Sequence, residues 1–242
     1  MVSKGISRFL LDMTTEATSN KGSPSVITLG FSVLTHFLLV APVIYILVLA
    51  FSINFKFFSW HPICMSVGVG LLITEAVFSV SGEAYLASKL PRRNRVTIHW
   101  ILHTTGLAII GIGLVIIIVN KIRFNGQHFV TAHSKLGLAT IILSVLVASF
   151  GILANNTAWL YPRVRPILLK IAHAFGGTAV TILLLATLIN GTYTHWWPAN
   201  HVTGRNLIFA SLFIAGFLIL VKPVLGAVSR CRVVFGPPSS DT

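Results

Sequence analysis

The chain has 242 residues, of which 55% are hydrophobic and only 10% are charged. Eighteen Lys and Arg face only five Asp and Glu, so the formal net charge is +13. A soluble domain of this length would need more charge to cover its surface. The composition therefore indicates a membrane protein and leaves no room for a soluble catalytic domain.

Apolar runs of about 18 or more residues are typical of membrane-spanning helices. Six such runs follow one another along the chain, and we call them spans 1 to 6: about 26–53, 60–80, 97–119, 133–154, 168–190 and 206–226. We predict an all-α membrane protein with three parts: an N-terminal segment 1–23, a six-span domain 24–228 and a tail 229–242.

Span 1 follows a segment that carries Asp12 and Glu16, and its apolar run is too long for a cleaved signal peptide. We therefore expect an uncleaved signal anchor. His36 lies midway along this span without a partner at its depth, so we expect it to make a hydrogen bond between helices.

Basic residues alternate in abundance from one end of the spans to the other. Thirteen lie at one set of boundaries: Lys4, Arg8, Lys21, Lys89, Arg92, Arg93, Arg95, Arg163, Arg165, Lys170, Lys222, Arg230 and Arg232. The other set holds five: Lys56, Lys121, Arg123, Lys135 and Arg205. Positive residues concentrate on the cytosolic side of membrane proteins, so both termini are predicted to be cytosolic. This placement argues against nucleic-acid binding.

One histidine lies near the start of each of spans 2 to 5: His61, His99, His133 and His173. Successive spans run in opposite directions, so two of them lie near the non-cytosolic face (His61, His133) and two near the cytosolic face. Ionisable residues inside spans usually face the bundle interior and have a function there. Two imidazoles on facing helices suit the axial positions of a haem iron. We predict a central four-helix bundle of spans 2 to 5 that binds two haems and transfers electrons.

Zinc is a weaker candidate, because no third or fourth ligand accompanies each pair. His103 lies one turn beyond His99 on the same face, and spacing alone does not decide between them. A glycine follows each histidine by four or seven residues, which returns to the same helix face: Gly68, Gly106, Gly137 and Gly177. Such positions would give a porphyrin clearance, or they would let helices pack closely.

Other polar residues in the spans receive simpler interpretations. Glu75 is costly to bury, so we expect it to be protonated or paired with a histidine or a polar group. Cys64 and Cys231 are predicted on opposite sides of the membrane, which argues against a disulfide. Asn190 begins a glycosylation sequon, but it lies very close to the membrane.

The chain has no second histidine 13 or 14 residues after any of the four, unlike cytochrome b subunits of respiratory complexes and NADPH-oxidase-type reductases. It also has no glycine-rich dinucleotide motif. The electron donor is therefore expected to be a small soluble reductant or a protein that docks at the cytosolic face. The alternative is a non-enzymatic polytopic carrier of haem or metal that uses the same histidines.

Four segments carry a resemblance to a known family: 58–65 (FSWHPICM), 96–103 (VTIHWILH), 132–134 (AHS) and 172–176 (AHAFG). They resemble the cytochrome b561 family, and in particular its domain-containing, transmembrane reductase branch. The resemblance implies a homodimer with two b haems per chain. It pairs His61 with His133 and pairs His99, rather than His103, with His173.

The resemblance also implies an ascorbate-dependent reductase that delivers electrons across the membrane to monodehydroascorbate radical or ferric iron. The branch implies an endomembrane location, in the endoplasmic reticulum or vesicles. Two positions depart from the family pattern: Val96 replaces a lysine of the ascorbate pocket, and Lys121 replaces a histidine on the outer side. Arg92 and Arg93 align with basic residues of that pocket and Arg95 lies beside Val96, so these three arginines are the candidate substrate-binding residues.

Overall fold

The computed structural model describes residues 26–235, so the predicted segment 1–23 and the last seven residues of the predicted tail lie outside the described residues. All regular secondary structure in the described part is helical. It contains six helices long and apolar enough to cross a membrane: Val26–Ser52, Phe57–Ser88, Arg92–Arg123, Ala132–Asn155, Pro166–Gly191 and Ala199–Phe235. The prediction of an all-α protein with six spans is confirmed.

Four spans consist of one continuous α-helix each, and spans 2 and 6 are composite. Span 2 contains a 3₁₀ turn, two α-helical pieces with a π-helical piece between them, and a short final helix: Phe57–Ser59, Trp60–Met65, Ser66–Ile73, Thr74–Ser81 and Tyr85–Ser88. Span 6 begins with the 3₁₀ turn Ala199–His201 and continues as Val202–Phe235. Another 3₁₀ turn, Thr157–Trp159, follows span 4.

The observed helices of spans 2 to 6 extend beyond the apolar runs that predicted them, whereas the helix of span 1 nearly coincides with its run. Span 3 begins at Arg92 instead of near residue 97, and span 6 continues to Phe235, through the first residues of the predicted tail. A hydropathy pattern marks only the part of a helix that lies in hydrocarbon, whereas backbone hydrogen bonds continue into the interface.

The spans pack as two close pairs, span 2 with span 3 and span 4 with span 5. Span 6 packs against spans 1 and 5, and span 1 also contacts span 2. The largest buried cluster draws on five spans and includes Ile46, Ile73, Ile110, Leu184 and Leu212. The outward sides of spans 3 and 4 expose large apolar side chains, as expected where lipid is the solvent: Ile112, Val115, Val145 and Leu146.

Spans 2 and 3 approach closely at two glycines. A Cβ placed on Gly68 would lie 3.1 Å from the carbonyl oxygen of Gly106, and a Cβ on Gly106 would lie 3.3 Å from that of Gly68. Small residues allow this approach of helix backbones in membranes. Of the two explanations open for these glycines, close helix packing is the one that the contacts support.

Candidate cofactor site between four histidines

His61 of span 2 and His133 of span 4 face each other at one end of the bundle. Their ring centroids lie 6.3 Å apart, and the ring planes cross at 83°. The two side chains come from helices that run in the same direction and belong to different close pairs. Each close pair of spans therefore contributes one imidazole to this site.

His99 of span 3 and His173 of span 5 form an equivalent pair at the other end of the bundle. Their centroids lie 6.2 Å apart with an interplanar angle of 86°. His103 packs its ring against His99, 4.5 Å away between centroids. The arrangement thus places His99 opposite His173, which spacing along the sequence could not decide. We call the membrane face near this pair, where span 3 begins with Arg92, the basic face.

Both distances match two imidazoles bound to opposite sides of one metal ion. A metal–nitrogen distance of about 2.0 Å, plus about 1.2 Å from nitrogen to ring centre, separates two such centroids by about 6.4 Å. A haem iron needs only two axial ligands from the protein. Within residues 26–235 no group of three or more His, Cys, Asp or Glu side chains gathers in the way a structural zinc site requires. The residues present fit haem.

Backbone carbonyls on neighbouring helices hold the imidazoles in the required tautomer. His61 Nδ1 donates to the carbonyl oxygen of Gly113 at 2.9 Å. His99 Nδ1 donates to that of Ala76 at 3.0 Å. A carbonyl can only accept, so the proton is on Nδ1 and Nε2 is left free to bind metal.

The second close pair repeats this arrangement. His173 Nδ1 donates to the carbonyl oxygen of Val147 at 3.2 Å. His133 Nδ1 is buried without a hydrogen bond of standard geometry, and the Thr187 carbonyl is its neighbouring acceptor. In both close pairs, the histidine of each span thus points its Nδ1 at a carbonyl of the other span.

The four carbonyls follow a regular spacing. Gly113, Val147 and Thr187 lie fourteen residues after the histidine on their own span, whereas Ala76 lies fifteen residues after His61. The π-helical piece Ser66–Ile73 accounts for the difference, because a π-bulge accommodates one additional residue in a helix. The Ala76 carbonyl of span 2 therefore stays level with His99 in spite of the extra residue.

Two glycines that the sequence analysis did not single out contact the histidines directly. A Cβ on Gly151 would lie 2.8 Å from His173 Cε1, and a Cβ on Gly191 would lie 3.1 Å from His133 Cε1. Each glycine follows the histidine of its own span by eighteen residues, which is five helical turns. That spacing was a usable signal in the sequence. Gly177, by contrast, faces open space.

The three arginines predicted to bind a substrate differ in their surroundings. Arg92 and Arg93 are exposed in the first turn of span 3, whereas Arg95 is half-buried. The Arg95 guanidinium packs against Gly82, which has φ +76° and ends the helix Thr74–Ser81. Arg95 Nε is buried without a hydrogen-bond partner.

The other polar residues predicted in the spans, His36, Glu75 and the two cysteines, lie outside the two facing pairs of histidines. His36 Nδ1 and Glu75 Oε1 lie 2.8 Å apart, so the histidine of span 1 and the carboxyl of span 2 are each other's partners. Cys64 and Cys231 are both free thiols. At the start of span 6, His201 Nδ1 forms a hydrogen bond with the Tyr45 hydroxyl at 2.7 Å, which links span 6 to span 1.

Comparison with known proteins agrees with this architecture. Transmembrane reductase CYB561D2 of Homo sapiens is 33% identical over 172 residues, which cover 69% of this chain and 71% of that protein. Probable transmembrane reductase CYB561D1 of Mus musculus is 30% identical over 171 residues, covering 71% and 74%. Lysosomal membrane ascorbate-dependent ferrireductase CYB561A3 of Homo sapiens is 27% identical over 136 residues, covering 55% and 54%.

Residues 60–198, more than half of the chain, match the family described as eukaryotic cytochrome b561. The matched region begins just before His61 and ends after span 5, so it includes all four facing histidines. The resemblance read from the histidine motifs is confirmed, and the chain is a multi-pass membrane protein of the eukaryotic cytochrome b561 family.

Proposed function

We propose that this protein is a transmembrane reductase that binds two b haems, one between His61 and His133 and one between His99 and His173. The observation that carries the proposal is the pair of imidazole separations, 6.3 Å and 6.2 Å, at two levels of one bundle. Each separation matches axial ligation of one iron, and the family is that of a haem-binding cytochrome.

The two sites lie at different depths. Ala76, which is level with His99, lies fifteen residues beyond His61 on span 2. At 1.5 Å per residue the two levels are about 22 Å apart, most of the roughly 30 Å of a hydrocarbon core. When bound, each haem supplies a one-electron couple, so the two together would connect the two membrane faces.

The residues of the chain have three tasks in this function. The four histidines would hold iron through Nε2. For His61, His99 and His173, a carbonyl of the neighbouring span holds the Nδ1 proton. The close approach at Gly68 keeps spans 2 and 3 in the register that these hydrogen bonds need. Apolar side chains of the buried cluster around Ile73 and Ile110 exclude water between the two levels.

The proposed donor is ascorbate or another small anionic reductant at the basic face. Arg92 and Arg93 are exposed there and Arg95 is half-buried on the same turn of span 3, and positive charge at a surface raises the local concentration of an anion. The relative CYB561A3 is named an ascorbate-dependent ferrireductase. Monodehydroascorbate radical or ferric iron is the proposed acceptor at the opposite face.

The same proposal includes orientation, location and assembly. Because Lys and Arg are more abundant at the basic face, we assign that face and both termini to the cytosolic side. We place the six-span unit at 24–228 in an endomembrane, the endoplasmic reticulum or a vesicle, as a homodimer, following the cytochrome b561 family.

The test is an optical spectrum followed by transmembrane reduction. Purified protein is expected to contain two haems per chain with sharp bands in the reduced state. Proteoliposomes loaded with ferricyanide should then consume it when ascorbate is added outside, whereas protein-free liposomes should not. Substoichiometric, loosely held haem would contradict the reductase and favour a haem carrier.

A further inference from the structure

The hydrogen-bonded pair His36–Glu75 lies inside the membrane domain and has no task in the function proposed above. Glu75 comes from the middle of span 2 and His36 from the middle of span 1. The side chain of Glu75 is 17% exposed and that of His36 is 42% exposed. The His36 ring also packs edge-on against Phe78, 5.2 Å between centroids. Ionisable groups at such depth are costly, and they mark functional positions in membrane proteins.

The pair is adjacent to the support of one proposed haem ligand. Glu75 precedes Ala76, whose carbonyl oxygen accepts the Nδ1 proton of His99 at 3.0 Å. A charge on the Glu75 carboxyl is therefore one residue away from the hydrogen bond that sets the basicity of that imidazole. In a medium of low dielectric constant, such a charge interacts strongly with a charge change at the site between His99 and His173.

The other charged or titratable groups around the pair are already engaged. On span 2, Glu83 forms an ion pair with Lys222 of span 6 at the membrane edge. On span 3, His99 and His103 pack against each other, and Arg95 packs on Gly82. In the described part of the chain, Glu75 is thus the carboxyl available for a charge change at this depth.

Polar side chains lie on one face of span 1 between the pair and the basic face. Thr28, Ser32 and His36 recur every four residues along span 1 and so share one helix face. The buried Ser32 hydroxyl accepts a hydrogen bond from the backbone N–H of Tyr85, at the end of span 2 that reaches the basic face. Thr35 is also buried beside this row. Polar side chains thus lie between the pair and the basic face.

We propose that His36–Glu75 takes up one proton when the haem between His99 and His173 is reduced and releases it when that haem is oxidised. With the iron oxidised, the hydrogen-bonded pair holds one proton fewer than with the iron reduced. The electron comes from the small-molecule reductant, and the proton comes from water at the basic face. The added electron and proton cancel, so the interior keeps its net charge. This inference rests on the proposed function, because it requires that haem.

The decisive measurement is the midpoint potential of this haem as a function of pH, in purified protein with both haems bound. The signal that His173→Ala removes identifies it. Because reduction takes up a proton, the wild-type midpoint should fall as pH rises. In Glu75→Gln the fall should be lost. The Glu75→Asp variant, which keeps a carboxyl, should restore a pH dependence, and Glu83→Gln, a matched loss of carboxylate at the membrane edge, should leave the wild-type profile unchanged.

Proton release provides a second readout that does not depend on activity. Oxidation of reduced wild-type protein with ferricyanide in weak buffer should acidify the solution, and Glu75→Gln with its haems intact should release fewer protons. A wild-type midpoint independent of pH, or a Glu75→Gln profile equal to that of the wild type, would overturn the inference while leaving the reductase standing. Protein that binds no haem would overturn both.

Discussion

Gly151 of span 4 lies directly against the imidazole of His173 of span 5. A Cβ placed on Gly151 would come within 2.8 Å of Cε1 and 3.2 Å of Nδ1. One turn earlier on span 4, the carbonyl of Val147 accepts the hydrogen bond of that Nδ1. Span 4 therefore positions His173 both by a hydrogen bond and by the absence of a side chain. Gly191 of span 5 gives His133 the same clearance.

We predict that Gly151→Ala displaces His173 and weakens binding of the haem between His99 and His173. Overpacking of this kind costs about 1–3 kcal/mol, roughly a 5- to 150-fold change in an equilibrium constant. Haem content and redox titration of the purified variant measure it. Gly30→Ala is the control, because a Cβ there meets nothing within 4 Å. Equal haem retention in the two variants would show that the clearance at Gly151 is unimportant.

The facing pairs predict how haem is lost from histidine variants. His61→Ala and His133→Ala should each remove the same haem, because both imidazoles border one gap of 6.3 Å. His173→Ala should remove the other haem and leave the first in place. Each variant should fall from two haems to one, as measured by the pyridine haemochrome assay and by redox titration. Loss of one common haem in His61→Ala and His173→Ala would mean that the pairing is wrong.

His103→Ala should retain more of the haem near the basic face than His99→Ala does. His99 faces His173 across 6.2 Å and donates to the Ala76 carbonyl, whereas the ring contact of His103 is with His99. We expect His103→Ala to keep two haems, with a changed midpoint potential from altered packing. Loss of this haem in His103→Ala alone would reassign the ligand. Haem content and redox titration of the two variants make the comparison.

The close approach of spans 2 and 3 predicts an effect on both haems from one distant glycine. A Cβ on Gly68 would lie 2.6 Å from Ile110 Cγ1 and 3.1 Å from the carbonyl of Gly106. Gly68→Ala should push the two spans apart and lengthen both hydrogen bonds that cross them, at a cost of about 1–3 kcal/mol. A lower thermal stability and weaker binding of both haems are expected.

The matched control for this change is Gly111→Ala on span 3, where a Cβ would meet nothing within 4 Å. The thermal unfolding temperature and haem content of this variant should match those of the wild type. A Gly68→Ala protein that also matches the wild type would show that Ile110 moves aside at little cost.

Much of this architecture could be predicted from the sequence, because a membrane imposes strong patterns on it. Long apolar runs require spanning helices, and antiparallel spans place His61 level with His133 without any knowledge of packing. The interval of eighteen residues from His133 to Gly151 was also visible in the sequence, since five turns return to one face.

The features that could not be predicted depend on how helices sit against each other. The π-helical piece Ser66–Ile73 is a local backbone change, and no residue pattern in the sequence predicted it. The pairing of His36 with Glu75 depends on the rotation of span 1 against span 2, which hydropathy does not specify. The burial of Arg95 likewise depends on the turn at Gly82, against which its guanidinium packs.

The last prediction concerns the proposed donor at the basic face. Ascorbate is a monoanion at neutral pH, so positive charge near its site should speed the encounter, and salt should weaken the effect. Changing Arg92, Arg93 and Arg95 together to Gln should slow haem reduction by ascorbate about tenfold or more at low ionic strength. Haem content should stay at the wild-type level, and a neutral reductant should be little affected.

Loss of Arg95 could also disturb the packing against Gly82. The double variant Arg92→Gln with Arg93→Gln therefore tests the effect of charge without changing that contact. Both of its positions are exposed, so it should show a smaller slowing with unchanged thermal stability. Arg230→Gln with Arg232→Gln, near the end of span 6 at the same face, is the matched control and should reduce at the wild-type rate. Stopped-flow reduction over a range of ionic strengths decides the matter. If the triple variant reacts with ascorbate at the wild-type rate, these arginines set only the orientation in the membrane, and the donor binds elsewhere or is not ascorbate.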